Sequence, residues 1–264
     1  MTDNEPILDT PAPAAARPRV RMSRRTRHIA MVAFIVGAAL FLLMLKAIDH
    51  RTRSLTDGPA KEAMSPAQLQ QFSRDTAKTI LTRYRGESSN ATQRALIERI
   101  GADIVGRGDA KIGTTKYHFH LLAEPDALNL FALPDGGVYI TTALVNRMQT
   151  EGQLAAAIAH GIAHVMPRDV LSTPVESTTS PNPLLRYTTK EELLADGRAL
   201  KLMSQAGYDP NAMIGMFTIL ANAYNAGANV EFFTTHPNTQ TRMQIILDSI
   251  AAMYPQGVPA ILSK

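Results

Sequence analysis

An unbroken apolar run from Gln153 to Met166 carries two histidines four residues apart, His160 and His164, and it constrains this chain more than any other feature. Alanine dominates the run and proline is absent until Pro167, so a buried helix is the expected structure. Residues four apart on a helix lie about 6 Å apart along the axis and about 40° apart around it, which lets both imidazoles reach one ion. Between them stands Gly161. A glycine inside a helix costs about 1 kcal/mol relative to Ala, so it is an odd filler among good helix formers.

The spacing is that of the H-E-x-x-H pattern, in which two histidines bind zinc and the Glu acts as general base toward a zinc-bound water. Here Gly161 stands at the base position, which is therefore vacant. Catalytic zinc takes three protein ligands, and a chain without cysteine must draw them from His and carboxylate. Glu192 is the expected third ligand. Its segment opens at Thr188-Thr189-Lys190-Glu191 with an S/T-x-x-E start and closes at Gly207. Glu192 and Asp196 share a helical face, so one carboxylate can bind metal while the other receives the free N–H of a ligating histidine. The same spacing also allows Glu191 and Glu192 merely to favour the positive end of the helix dipole. His118 and His120 share one face of a strand, where exposure explains them as well as metal binding does.

Five blocks in order carry a resemblance. Asn129-Leu-Phe-Ala-Leu-Pro-Asp-Gly-Gly137 is similar to N-A-F-A-L-P-G-G, and Leu154 to His164 is similar to L-A-A-V-L-A-H-E-I-A-H except at Gly161. Glu192-Leu-Leu-Ala-Asp196 resembles E-x-x-A-D, Ala206 to Pro210 resembles A-G-Y-D-P, and Thr235-His236-Pro237 with Arg242 resembles T-H-P-x(4)-R. Over roughly residues 65–250 the chain resembles the gluzincin metallopeptidases of family M48, the group of HtpX-like and BepA-like proteases. The resemblance implies an α+β, mostly helical, zincin-like metallopeptidase domain with a small β region. It also implies Zn2+ held by His160, His164 and Glu192, with Asp196 supporting the site and His236 near it.

The remaining pattern fits such a domain. Ser65-Pro66 reads as the cap and first residue of a helix with Leu69, Phe72, Ile80, Leu81 and Tyr84 on its apolar side. A second helix is expected from about Ala91 to Val105, and strands at Tyr117 to Leu122 and Gly137 to Thr141, the latter after a Pro134-to-Gly137 turn. The Ser, Thr and Pro content from Val170 to Pro183 predicts a loop between the two site helices.

Ahead of the domain, Ile29 to Leu45 is free of charge, and the apolar stretch continues through Ile48 because Lys46 can snorkel. A long lead and no A-x-A site favour an uncleaved transmembrane anchor over a signal peptide. Arg17, Arg19, Arg21, Arg24, Arg25 and Arg27 precede it, against Lys46, Arg51, Arg53 and Lys61 after it, so the N-terminus is expected in the cytoplasm and the domain in the periplasm. The layout expected is a basic tail at 1–28, one inner-membrane helix at 29–48, a linker at 49–64 and the domain at 65–264. Three carboxylates offset the six arginines, leaving the tail at +3 of the total +4 and the domain near neutral. Nucleic acid is therefore excluded as a partner, while anionic lipid fits the tail.

Loss of a general base is worth about 10² to 10⁴ in rate. The expectation is a zinc-binding pseudopeptidase of envelope protein quality control that engages unfolded or misassembled protein or peptide segments. The alternative is an active metalloendopeptidase with a displaced base such as Glu191, Asp169 or Glu151. A remnant without metal fits poorly with four retained site positions. On the sequence alone, Gly161→Glu is expected to raise activity at least about 10²-fold.

Overall fold

The computed structural model describes residues 65–111, 115–166, 187–236 and 239–264. The expected tail, anchor and linker, and the Val170–Pro183 segment, lie outside the described residues. Among the described residues no helix is long and apolar enough to cross a membrane.

Helix α1, Pro66–Arg83, starts on a Ser65 capping box with Gln68 and has Pro66 in its first turn, as the sequence predicts. Helix α2, Ala91–Arg107, is capped by Asn90 and buries Ile97, Ile100, Gly101 and Ile104, a stripe at helical spacing. Three strands follow: β1 at His118–Leu122, β2 at Leu130–Ala132 and β3 at Gly137–Thr141. Their order is β1-β3-β2, with β1 parallel and β2 antiparallel to the central β3. All five residues of β3 are buried, as a strand covered on both faces requires.

Alternation along the strands sorts side chains into two layers. Leu121, Leu130, Val138 and Ile140 join the main core with α2, while Leu122, Phe131 and Tyr139 pack with Ile80 and Tyr84 at the end of α1. His118 and His120 do share a face. His120 stacks on Tyr139 with ring centroids 4.3 Å apart and meets Glu87 at 2.7 Å, so a carboxylate and a ring occupy it.

A short helix α3, Thr142–Arg147, leads to α4, Glu151–Val165, which opens on a Thr150 capping box with Gln153. Every residue from Leu154 to Val165 is buried. Small side chains all round let neighbours approach on every side, and a helix apolar on every face belongs in a core. Against α4 packs α5, Thr189–Ala206, which ends on Gly207 at φ 87°, the left-handed cap the sequence signals. Helices α6 (Ala212–Asn225), α7 (Phe232–Thr235) and α8 (Thr239–Met253) complete the described chain, α6 lying on α4 and α8 on α5.

The β2–β3 turn depends on Gly136. Its φ is +103°, and a Cβ there would sit 2.0 Å from the Lys116 carbonyl oxygen, where the chain enters β1. Its own carbonyl accepts the His118 N–H at 3.0 Å, which starts the β1–β3 pairing. Gly136→Ala is therefore expected to destabilise the domain by roughly 1–3 kcal/mol, read as a lower urea midpoint at unchanged m-value.

Candidate metal centre

Helix α4 supplies His160 and His164, whose Nε2 atoms lie 3.0 Å apart with the rings edge to face. Helix α5 brings up Glu192, with Oε2 3.5 Å from His160 Nε2 and Oε1 3.6 Å from His164 Nε2. The two glutamates at the start of α5 divide their work. Thr188 is the cap and Glu191 closes the box, accepting the Thr188 N–H at 2.7 Å, whereas Glu192 turns inward and is fully buried. The dipole alternative thus fits Glu191 and not Glu192.

His236, at the end of α7, completes a group of four. One donor atom from each of His160, His164, Glu192 and His236 falls within 4.8 Å of the others, and all four residues are buried. The Nδ1 of His236 contacts the Phe232 carbonyl at 3.2 Å and Thr235 Oγ1 at 2.8 Å, and its ring stacks on Phe232. Those contacts favour a proton on Nδ1 and leave Nε2 as the free donor. His160 is oriented in the same way. Its Nδ1 lies 3.1 Å from Asp196 Oδ1, so its Nε2 lone pair faces the cluster.

The donor set fits zinc. Bond lengths of about 2.0–2.1 Å in a tetrahedron place ligand atoms about 3.3 Å apart, close to the 3.0 to 3.6 Å separations here. Both Glu192 carboxylate oxygens are buried and accept no well-aligned hydrogen bond. Buried acceptors in that state are costly unless a cation engages them.

Arg242 on α8 is the cation the protein itself provides. Its Nε and Nη2 meet the two Asp196 oxygens at 2.7 Å each, and its Nη1 reaches Glu192 Oε2 at 2.6 Å. It is fully buried, with Phe217 of α6 4.8 Å beneath the guanidinium. Sequence reading placed this arginine near the site and missed what it does. The signal was present: Arg242, Ile246 and Ile250 recur every four residues, which sets a charge on the buried stripe of α8.

The ionisations follow from this packing. Burial, then the neighbouring His160, His236 and Arg242, hold His164 well below the ordinary histidine range. Burial likewise pushes His236 down to about 3, against an opposing pull from Glu192. Both rings are thus neutral at pH 7 and able to bind metal. For His160 burial acts downward, but contacts with Asp196 and Glu192 outweigh it and the net direction is up. For Asp196 burial acts upward and is overcome by Arg242 and His160, so its pKa falls.

Tyr187, which sequence reading missed, covers one side. Its ring stacks on His164 at 3.6 Å and its hydroxyl donates to the Ala132 carbonyl of β2 at 3.4 Å. Gly161 faces the sheet. A Cβ there would lie 3.0 Å from Leu130 Cδ2 and 3.1 Å from Val138 Cγ1, so position 161 carries no carboxylate and does not face open space. Two of the three substitute bases are engaged elsewhere. Glu191 is spent on the helix cap, and Glu151 pairs with Arg99 at 2.6 Å and accepts from Tyr208 at 3.0 Å, at the far end of α4 from the histidines. Asp169 lies outside the described residues.

Histidines one turn apart, joined by a carboxylate from the next long helix, define a metallopeptidase-type centre. The chain belongs to peptidase family M48, whose model matches residues 91–181 and 174–250. The mitochondrial metalloendopeptidase OMA1 of Schizosaccharomyces pombe is 28% identical over 155 residues, which is 50% of this chain and 46% of that protein. The beta-barrel assembly-enhancing protease of Escherichia coli K12 is 25% identical over 178 residues, 54% of this chain and 36% of that protein. OMA1 of Arabidopsis thaliana is 24% identical over 147 residues, 48% and 30% of the two chains. This chain therefore spans less than half the length of these relatives. Zinc is the ion of this family, and the four clustered side chains can hold it.

Two measurements check the centre. Metal analysis of the purified protein is expected to give about one zinc per chain, lost in His160→Ala, His164→Ala or Glu192→Ala and bound 10- to 100-fold more weakly in Asp196→Ala, where loss acts through ligand orientation. Arg242→Met is expected to cost about 3–5 kcal/mol in chelator-treated protein, because it strands two buried carboxylates; an equal cost with zinc bound would contradict a metal beside Glu192.

Proposed function

We propose that this chain is a membrane-anchored, zinc-binding pseudopeptidase of envelope protein quality control, with a basic tail at 1–28, an anchor at 29–48, a linker at 49–64 and a periplasmic domain at 65–264. His160, His164 and Glu192 hold the ion, His236 is a further donor beside it, and Asp196 orients His160. Zinc in such a centre supplies Lewis acidity toward a carbonyl and an acidified water. The protein's own part is to keep His164 and His236 neutral, to aim His160 through Asp196, to set Arg242 against Glu192, and to shield His164 under Tyr187.

The observation that carries this reading is Gly161. A proton must be taken up and passed to a leaving amine in peptide hydrolysis, and glycine has no group to do so. Support comes from the engagement of Glu151 and Glu191 elsewhere. What remains is a site able to bind an extended protein segment without efficiently cutting it. That a relative enhances beta-barrel assembly, by its name, supports clients in the envelope that are unfolded or misassembled. The charge-free stretch and its arginine lead support the inner-membrane placement and the lipid contact.

The test uses full-length protein in detergent. Bound zinc with no chelator-sensitive cleavage of an unfolded casein substrate is the expected result. Cleavage that a chelator abolishes would replace this reading with that of an active metalloendopeptidase using a displaced base. A reporter fused after Lys264 is expected to behave as periplasmic, with the full-length mass retained in membranes; a cytoplasmic signal or a released domain would overturn the topology.

A further inference from the structure

Gly161 does not face empty space. The nearest atoms to its missing Cβ are Leu130 Cδ2 at 3.0 Å, Val138 Cγ1 at 3.1 Å and Leu130 Cδ1 at 3.7 Å. Ordinary carbon contacts lie at about 3.5–4.0 Å, so even one added carbon demands movement of its neighbours. Those neighbours have little room. Leu130 is fully buried and Val138 nearly so, on adjacent strands of one sheet and in one core with Ile140, Ile158 and Ile162. Interiors packed at crystal-like density resist such shifts.

Of the two atoms inside ordinary contact distance, one is Leu130 Cδ2, an atom that alanine lacks, and the other is Val138 Cγ1. Leu130 on β2 and Gly161 on α4 thus meet at one contact. We infer that Leu130 and Gly161 are a matched pair: Leu130 fills from the sheet the room that a general base at position 161 needs, so the loss of the base is fixed by packing and not by one residue. This deepens the pseudopeptidase reading and rests on it. It also amends the expectation from sequence, because Gly161→Glu alone meets Leu130.

A stability cycle on the full-length protein tests the pair without reference to activity. Alanine is the better helix former, yet Gly161→Ala in the natural background is expected to lower Tm by at least about 2 °C. In a Leu130→Ala background that loss is expected to shrink or reverse, since the closest atom is gone and a cavity is part filled, while Val138 Cγ1 at 3.1 Å remains. Equal shifts of one sign in both backgrounds would overturn the inference. Should Leu130→Ala fail to fold, Leu130→Val takes its place, with the Gly161→Ala loss expected to shrink and an unchanged loss counting against the pair.

Activity provides the second arm. Gly161→Glu alone is expected to show no gain in casein cleavage, and Gly161→Glu with Leu130→Ala a gain of at least about 10²-fold. A gain from Gly161→Glu alone that equals the double variant would overturn the pairing. Cleavage by the natural chain would instead reject the pseudopeptidase reading, and the stability cycle would still decide the packing claim.

Discussion

Glu192 and Asp196 lie one helical turn apart on α5, and both are buried. Two carboxylates in an apolar interior cost several kcal/mol each unless cations and hydrogen bonds stand against them. Everything around them is arranged to meet that demand. Arg242 arrives from α8 to bridge both, His160 from α4 takes an Asp196 oxygen, and the faces of Glu192 left without aligned hydrogen bonds point at three imidazoles. The charges therefore tie α4, α5, α7 and α8 to one point. Arg242 extends the tie to α6 through Phe217.

The second constraint is proximity. Helix α4 is built of small residues so that α5, α6 and the sheet can all pack on it. That closeness brings Leu130 of β2 and Val138 of β3 against the Cα side of Gly161, so position 161 is a seam of the core. The four clustered side chains sit where α4 meets α5 and α7, whereas Gly161 sits where α4 meets the sheet.

Much of the local structure was legible in residue order. The Ser65 and Thr188 caps, the stop at Gly207 and the turn at Gly136 rest on short-range rules: a hydroxyl near free N–H groups, or a glycine where φ is positive. The histidine pair and the Glu192–Asp196 pair were legible for the same reason, since helical spacing alone sets which residues share a face. The partnership of Arg242 was not, although its place on the apolar stripe of α8 marked it. Tyr187 gave no signal, because stacking on His164 depends on where a loop end lands.

Sequence by itself determined the helices, the histidine and carboxylate types at the candidate centre, the absence of cysteine thiolates and the absence of a carboxylate at position 161. Only the tertiary structure decided which of two adjacent glutamates turns inward, which buried cation balances the site, that the parallel partner of β3 is β1, and that Gly161 lies against Leu130 and Val138. The division has a physical cause. Helix spacing and capping act over three or four residues and are written locally, whereas charge compensation and core packing act between segments tens of residues apart and exist only once the chain has folded.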